Sequence, residues 1–367
     1  MGNAPTLYIG IMSGTSLDGI DSALIGLDDG APRQLGSLHL PFDQELRATL
    51  LELNTAGDNE LERAALAANR LSHAYAVSVR QLLQAAQCSA HNIRAIGCHG
   101  QTVRHRPDLG YTLQLVNSAL LAELSGIAVV SDFRSRDIAA GGQGAPLAPA
   151  FHAALFKHPE IHRVIVNIGG ISNLTDLPVQ GKITGFDCGP GNVLLDAWTN
   201  RHLGQAFDRD GAWADSGRPI PELLEQMLAD PYFSAPPPKS TGRDLFNPAW
   251  LQQYLPPSHA PADIQATLLA LTARGIADAI RTHCPGTQEI YLCGGGAHNR
   301  ALVSRLQQLL PNASVDMTDK LGISSDWVEA LAFAWLAQQT LEGKPGNLPE
   351  VTGARGMRLL GAIHPAG

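Results

Sequence analysis

Ser13-Gly14-Thr15-Ser16-Leu17-Asp18-Gly19-Ile20-Asp21 is the stretch on which the reading of this chain turns. Apolar runs rich in branched and aromatic residues flank it at 7–12 and 20–27, and such runs favour strands. It is therefore a turn between two strands. Gly14 and Gly19 let the backbone bend and approach a ligand closely. Ser13, Thr15 and Ser16 add hydroxyls, and successive N–H groups in such a turn form a concavity for an anion. Asp18 and Asp21 supply carboxylates able to orient a magnesium ion directly or through its waters. An ordinary polar hairpin, for which Asp-Gly is a strong signal, is the competing reading, but it needs only about two to five such residues. Phosphate binding by Ser13 to Ile20, with Leu17 inside the turn, is the expectation.

Working outward, residues 35–42 read as a third strand, so the chain opens with an antiparallel meander. Helical patterns cover 44–53 and 60–86, the second with Leu61, Ala65, Ala68, Leu71, Tyr75, Val79 and Leu82 at helical steps. Strands at 93–98, 111–116 and 127–132 then alternate with helices at 118–124 and 145–156. The pattern restarts at residue 164 with a strand, the turn Gly169-Gly170, two more strands and a helix at 192–202. Later come a Pro-rich stretch at 234–258 read as irregular, helices at 263–283, 300–310 and 325–342, and a strand at 289–293. The fold class expected is α/β: two similar domains, each with a mixed sheet, flanking a central cleft. Their expected bounds are 1–145 and 146–345, with a surface tail at 346–367.

Composition agrees with a protein that buries large cores. Of 367 residues 44% are hydrophobic and 16% charged, and 37 glycines suggest many tight turns. The formal net charge of −8 argues against nucleic-acid binding, which needs clustered Lys and Arg. Five scattered cysteines without CxxC spacing suit free thiols in a reducing cytoplasm. No apolar run reaches the ~20 residues that span a bilayer, and the first ten residues lack the pattern of a signal peptide. Met1-Gly2 with Thr6 meets the loose myristoylation pattern, but no second membrane signal accompanies it. No membrane partner is expected.

Four further segments carry chemistry. Asn167-Ile168-Gly169-Gly170-Ile171-Ser172 repeats the Gly-rich hairpin theme, which suggests that both halves grip one phosphate chain. Asp187 ends a strand before Gly189-Pro190-Gly191 and a helix beginning near Asn192. A carboxylate there can take a proton from water or a hydroxyl, and the helix N-terminus favours anions; the competing reading is a helix entry. Gly294-Gly295-Gly296 with Asn299 follows a strand and opens a helix. It lacks the last glycine of a dinucleotide fingerprint, yet would admit a flat group such as adenine or ribose; the competing reading is a simple strand-to-helix packing turn. His99, Gln101, Arg134, Arg136, Asp137 and Gln143 leave strand ends and suit a polyhydroxylated substrate with an acidic group. No Walker A sequence, nucleophile elbow, HExxH or protein-kinase motif set is present.

In order, SGTSLDGID, DFRSRDIAAGGQGAPL, NIGGISNLT, GFDCGPGN and CGGGAHNR resemble the anhydro-N-acetylmuramic acid kinases. These bacterial enzymes belong to the superfamily of acetate and sugar kinases, Hsp70 and actin. The resemblance runs from the first strand to the helix holding Glu329, and it implies two actin-like (ribonuclease H-like) domains. It implies conversion of 1,6-anhydro-N-acetylmuramic acid, ATP and water into N-acetylmuramic acid 6-phosphate and ADP, in peptidoglycan recycling. Residues 13–20, Asn167, Gly169, Gly170, Gly294, Gly295, Gly296 and Asn299 would bind ATP, with Mg²⁺ as cofactor near Asp18 and Asp21. Asp187 would be the base. His99, Gln101, Arg134, Asp137, Gln143, Asn192 and Glu329 would meet the sugar, and a homodimer is implied. One departure is Cys188, where the family is expected to carry Thr. Two readings stay open: another small-molecule kinase of the superfamily, and an actin- or Hsp70-like ATP switch.

Overall fold

The computed structural model describes residues 5–14, 17–27, 32–255 and 258–367, so Thr15 and Ser16 lie outside the described residues. Two compact units emerge, one formed by 1–155 with 327–367 and the other by 156–326.

In the first unit, β1 (Thr6–Ser13), β2 (Gly19–Leu27) and β3 (Arg33–Pro41) form the expected antiparallel meander. On the other side of β1 lie β4 (Ile93–Arg106) and β6 (Val129–Ser131), both parallel to it, and β5 (Tyr111–Leu115) forms a hairpin with β4. The second unit repeats this plan. β7 (Arg163–Ile168), β8 (Ile171–Leu177) and β9 (Thr184–Pro190) form a meander, and β10 (Glu289–Cys293) and β11 (Ser314–Met317) extend it in parallel from β7. The orders β6-β4-β1-β2-β3 and β11-β10-β7-β8-β9 are thus one topology used twice, that of the ribonuclease H-like fold. The α/β class with mixed sheets is the one expected from sequence.

The amphipathic helix Glu60–Ala85 packs on β2 and β3 through Leu71, Tyr75, Val79 and Leu82. The sequence stripe began a turn too early: Leu61 is 90% exposed and Ala65 is also open to solvent. In the second unit the helix Pro261–His283 lies against the sheet and is buried along nearly its whole length, through Leu268, Leu271 and Ile276.

The sequence places the last helix in the second domain, at 146–345, whereas in the structure it returns to the first sheet. Val328–Leu341 packs on β1 and β4, where a Cβ on Gly10 would come within 1.7 Å of the Ala330 carbonyl oxygen. A Cβ on Gly97 would lie 1.9 Å from the Phe333 carbonyl oxygen. Only glycine permits that approach of helix backbone to sheet. The tail follows the helix and adds β12 (Ala362–His364) antiparallel to β6. Long-range packing decides this return, and no local signal at 325–367 announces it.

Candidate active site

In the second unit the meander sets three polar residues in a row. Asn167 on β7 pairs with Asn173 on β8, and Asn173 pairs with Asp187 on β9. Directly opposed residues in antiparallel strands share a face. All three are half-buried between buried neighbours, so one polar stripe crosses an apolar sheet. Asn173 was not singled out from sequence; the register alone reveals it. Cys188 is fully buried, so the departure from the family pattern lies in the core.

Asp187 is held by the Pro-rich segment at 234–258 and the short helix before it. Its Oδ2 accepts from the Thr241 N–H at 2.9 Å, its main-chain N–H donates to the Lys239 carbonyl, and its carbonyl accepts from the Tyr232 hydroxyl at 2.8 Å. Oδ1 accepts no hydrogen bond from any described residue. Burial pushes the carboxyl up to about 6, against the Thr241 amide and the Lys239 ammonium, which pull it down. Lys239 itself donates to the Tyr232 and Phe233 carbonyls and sits 4.7 Å over the Tyr232 ring. Lys239 and Thr241 were missed because nothing in a Pro-rich stretch marks which residue folds back onto a distant strand.

The two Gly-rich turns of this unit are knitted together. N–H groups of Gly191, Asn192 and Val193 donate to the carbonyls of Gly170, Gly169 and Gly170. The Val193 N–H, first in the helix Val193–Leu203, is therefore taken by the hairpin. Asn192 donates its amide to the Ile168 carbonyl. At the third turn a Cβ on Gly294 would lie 2.3 Å from Asn167 Oδ1, and one on Gly296 would lie 2.3 Å from Ile168. These two glycines serve the packing of β10 on β7, whereas Gly295 faces open space. Asn299 caps the helix Arg300–Leu309 through the Leu302 N–H, so its side chain is already engaged. Beside this turn the hydroxyls of Thr318 and Ser325 are buried without a partner, and Ser325 receives the Gly294 N–H on its carbonyl. Neither was visible as a site residue in the sequence.

In the first unit the turn after β1 is tied to β4. Gln101 donates to the Gly14 carbonyl at 3.1 Å and leaves its own Oε1 buried without a partner. The Ser13 hydroxyl is spent on Tyr75 and the Gly100 carbonyl, and Ile20 is in the core, so what these residues offer a ligand is main chain. Gly19 is close-packed, since a Cβ there would meet the Leu40 carbonyl oxygen at 2.5 Å. Leu17 adopts a positive φ of 56°, is buried, and its carbonyl accepts from Arg47. Asp18 is exposed at the turn, and Asp21 pairs with His39 at 2.7 Å. Among the described residues no group of three or more His, Cys, Asp or Glu comes together as a metal cage.

Arg134 donates to His99 Nε2 from both Nε and Nη2 and to the Gly144 carbonyl from Nη1. His99 is consequently the Nδ1–H tautomer and neutral: burial and the Arg134 charge hold it well below the usual histidine range. Burial brings Arg134 down to about 10, with Glu329 and Asp137 opposing, so it stays charged at neutral pH. Glu329 keeps exposed surface, yet the protein crowded around it raises its carboxyl, against Arg134. Arg136 and Gln143 are exposed.

Asp137 departs from the sequence expectation. It is fully buried, and its carboxylate accepts from Asn347 and Thr352 at 2.7 Å and from the Gly144 N–H at 2.8 Å. Gln143 donates its N–H to the Thr352 carbonyl, and Arg355 donates to Ala140. The carboxylate that looked like a sugar ligand is a clasp between the tail and the loop bearing Arg134 and Gln143.

The comparisons with known proteins bear on what these groups serve. A family model, Anhydro-N-acetylmuramic acid kinase, matches residues 6–366. The chain belongs to that family. A Nitrosomonas europaea relative bearing the name anhydro-N-acetylmuramic acid kinase is 59% identical over 98% of this chain and 99% of its own length. Relatives of the same name from Chromobacterium violaceum and Pseudomonas syringae pv. syringae are each 54% identical, over 98% of this chain and 99% of their own. No helix among the described residues is long and apolar enough to cross a membrane.

Proposed function

We propose that this protein is an ATP-dependent anhydro-N-acetylmuramic acid kinase of peptidoglycan recycling. It opens 1,6-anhydro-N-acetylmuramic acid with water and phosphorylates the freed O6, giving N-acetylmuramic acid 6-phosphate and ADP. The observation that carries the reading is the state of Asp187: one carboxylate oxygen is pinned by the Thr241 amide, the other meets no donor among the described residues, and burial pushes its pKa up to about 6. That is a base still ionised at neutral pH yet basic enough to accept a proton.

In this reading Asp187 Oδ1 takes a proton from water while the water oxygen bonds to the anomeric carbon. The C1–O6 bond breaks with its electron pair on O6, and O6 bonds to the γ-phosphorus of ATP as the bond from that phosphorus to the bridging oxygen breaks, its electron pair leaving with ADP. Main-chain N–H groups of the Gly14–Gly19 and Gly169–Gly170 turns hold phosphate oxygens, Asn167 and Asn173 donate to the transferring group, and Gly295 gives room to the nucleoside. His99, Gln101 and Arg134 meet the sugar, with Gln143, Asn192 and Glu329 as further contacts. Arg134 has spent three donors within the protein, so the exposed Arg136 is the better partner for the lactyl carboxylate. Asp18 and Asp21 would hold a magnesium ion, in part through water. It would offset charge on the phosphates.

A cytoplasmic site is supported by five cysteines held as thiols and not as disulfides. A homodimer is supported by exposed Leu61 and Leu66 on one helix, and light scattering on the purified chain tests it. The activity test is direct: incubation with Mg·ATP and the anhydrosugar yields a product heavier by one phosphoryl group and one water. A product lacking the added water indicates an ordinary sugar kinase and refutes ring opening.

A further inference from the structure

Asn192 precedes the helix Val193–Leu203, and Asp196 and Thr199 follow it at helical spacing, so the three share one face. Two of them are engaged: Asn192 donates to the Gly169 and Ile168 carbonyls, and the Thr199 hydroxyl accepts from Gln265. Asp196 lies between them, half-buried, and no described residue donates a hydrogen bond to its carboxylate. Its oxygens are not sealed off, and both keep surface that a ligand can touch. Every other described carboxylate of this unit that is withdrawn from solvent has a donor, as His162 serves Asp176, Trp250 serves Asp230 and Arg163 serves Glu289. Burial pushes the Asp196 carboxyl up to about 6; the exposed Arg243 opposes this without forming an ion pair, and the Asp208 charge adds to it. A carboxylate withdrawn from water without donors destabilises the fold, and a ligand that brings donors removes that cost.

Neighbouring contacts fix where this carboxylate stands. The Asp196 N–H donates to the Asn192 carbonyl at 2.8 Å, so Asp196 is one helical turn, about 5.4 Å, from the Gly169–Gly170 hairpin that Asn192 clasps. On its other side, Gln265 bridges Thr199 to Asp208, which leads into the short turn Arg209–Gly211. A Cβ on Gly211 would lie 2.3 Å from Asn299 Oδ1, so that turn is packed against the residue that follows Gly294–Gly296. Asp196 therefore stands between the turn read as holding phosphates and the turn read as receiving the nucleoside. In a nucleotide the group that joins phosphate to base is the ribose.

We propose that Asp196 is a specificity-determining residue for the nucleotide, its carboxylate accepting hydrogen bonds from the 2′ and 3′ hydroxyls of the ribose. The proposal rests on the chain being an ATP-dependent kinase. An ionised carboxylate only accepts, through two oxygens, and a vicinal diol brings two O–H donors side by side. Acidic residues hold ribose hydroxyls in this way in dinucleotide-binding folds of another topology. A phosphate would be repelled at the same place. A cation is disfavoured because Asp208 has its oxygens on the Trp213 and Ala214 N–H groups, and no metal cage forms among the described residues.

The test uses the full-length protein with Asp196→Ala and Asp196→Asn, and titrates ADP and 2′,3′-dideoxyADP by calorimetry. Nucleotide-free Tm and KM for both substrates are measured alongside. The parent is expected to bind ADP at least about ten-fold more tightly than the dideoxy analogue, because both hydrogen bonds are charge-assisted. In Asp196→Ala that ratio falls to about one through lost affinity for ADP, and KM rises for ATP but not for the sugar. Nucleotide-free Tm at pH 7.5 equals or exceeds the parent's, since no donor is stranded by the change. Equal affinity of the parent for the two nucleotides, or an undiminished ratio in Asp196→Ala, overturns the proposal and leaves nucleotide binding standing. A lower nucleotide-free Tm in both variants shows that the carboxylate serves folding and also overturns it. A parent that binds neither ADP nor its analogue overturns the ATP-dependent reading together with this one.

Discussion

Replacing Asp187 with Asn should make this protein more stable while disabling it, and the structure gives the size of the first effect. Burial raises the carboxyl from 3.8 to about 6 in the folded chain. Each unit is worth about 1.4 kcal/mol, so keeping this group ionised at neutral pH costs the fold about 3 kcal/mol. The sign follows from the raised value. Above pH 6 the folded chain bears the full cost, because the unfolded chain ionises the same group freely. Between pH 6 and pH 4 the folded carboxyl protonates and the cost fades; below about pH 4 both states are protonated and nothing remains.

Asparagine resembles the protonated acid. It keeps an acceptor for the Thr241 N–H but brings two donors that need partners, so about half the gain is expected, roughly 1.5 kcal/mol. For a unit of this size that is a rise of roughly 3–6 °C in Tm. The assay is thermal unfolding of both proteins at pH 7.5 and pH 4.5, followed by the fluorescence of Trp198, Trp213 and Trp250. The difference should be present at pH 7.5 and nearly gone at pH 4.5, while kcat falls by about 10²–10⁴ at pH 7.5. A variant no more stable than its parent at pH 7.5, or a gain of equal size at both values, would refute the argument that burial strains this carboxylate.

Three further outcomes follow from the same geometry. The rate should be lost as pH falls through about 6, where Asp187 protonates, and Lys239→Met should move that limb upward by removing the cation that lowers it; an unmoved limb in kcat/KM profiles excludes Lys239 from tuning the base. Asp137→Ala strands donors from Asn347, Thr352 and Gly144, which should cost about 3 kcal/mol in urea unfolding and raise KM for the sugar but not for ATP. Equal changes in both KM values would argue against the clasp acting through the Arg134 loop. Gly10→Ala should abolish soluble expression or cost at least about 3 kcal/mol, since the new methyl would stand 1.7 Å from the Ala330 oxygen; parental Tm in that variant would contradict the close packing of helix on sheet.

What the sequence determined by itself were the features whose causes are local. Strand runs broken by Gly-rich turns set the two meanders, a helical repeat set the long helices, and Asp187 stood out because a strand ends there before a Gly-Pro-Gly entry to a helix. Family motifs spread over the whole chain supplied the chemistry. Tertiary structure decided the rest. Asp137 and Asn299 carry the same functional groups as true ligand contacts, and only their partners reveal a clasp and a helix cap. Thr241 and Lys239 sit more than fifty residues from Asp187 in a stretch without periodicity, and Asn173 joins the stripe through strand register. The return of Val328–Leu341 to the first sheet depends on missing side chains at Gly10 and Gly97, more than two hundred residues away. Local propensity reports what a segment can form; which distant group completes a hydrogen bond, or leaves one open, is settled only when the chain is packed.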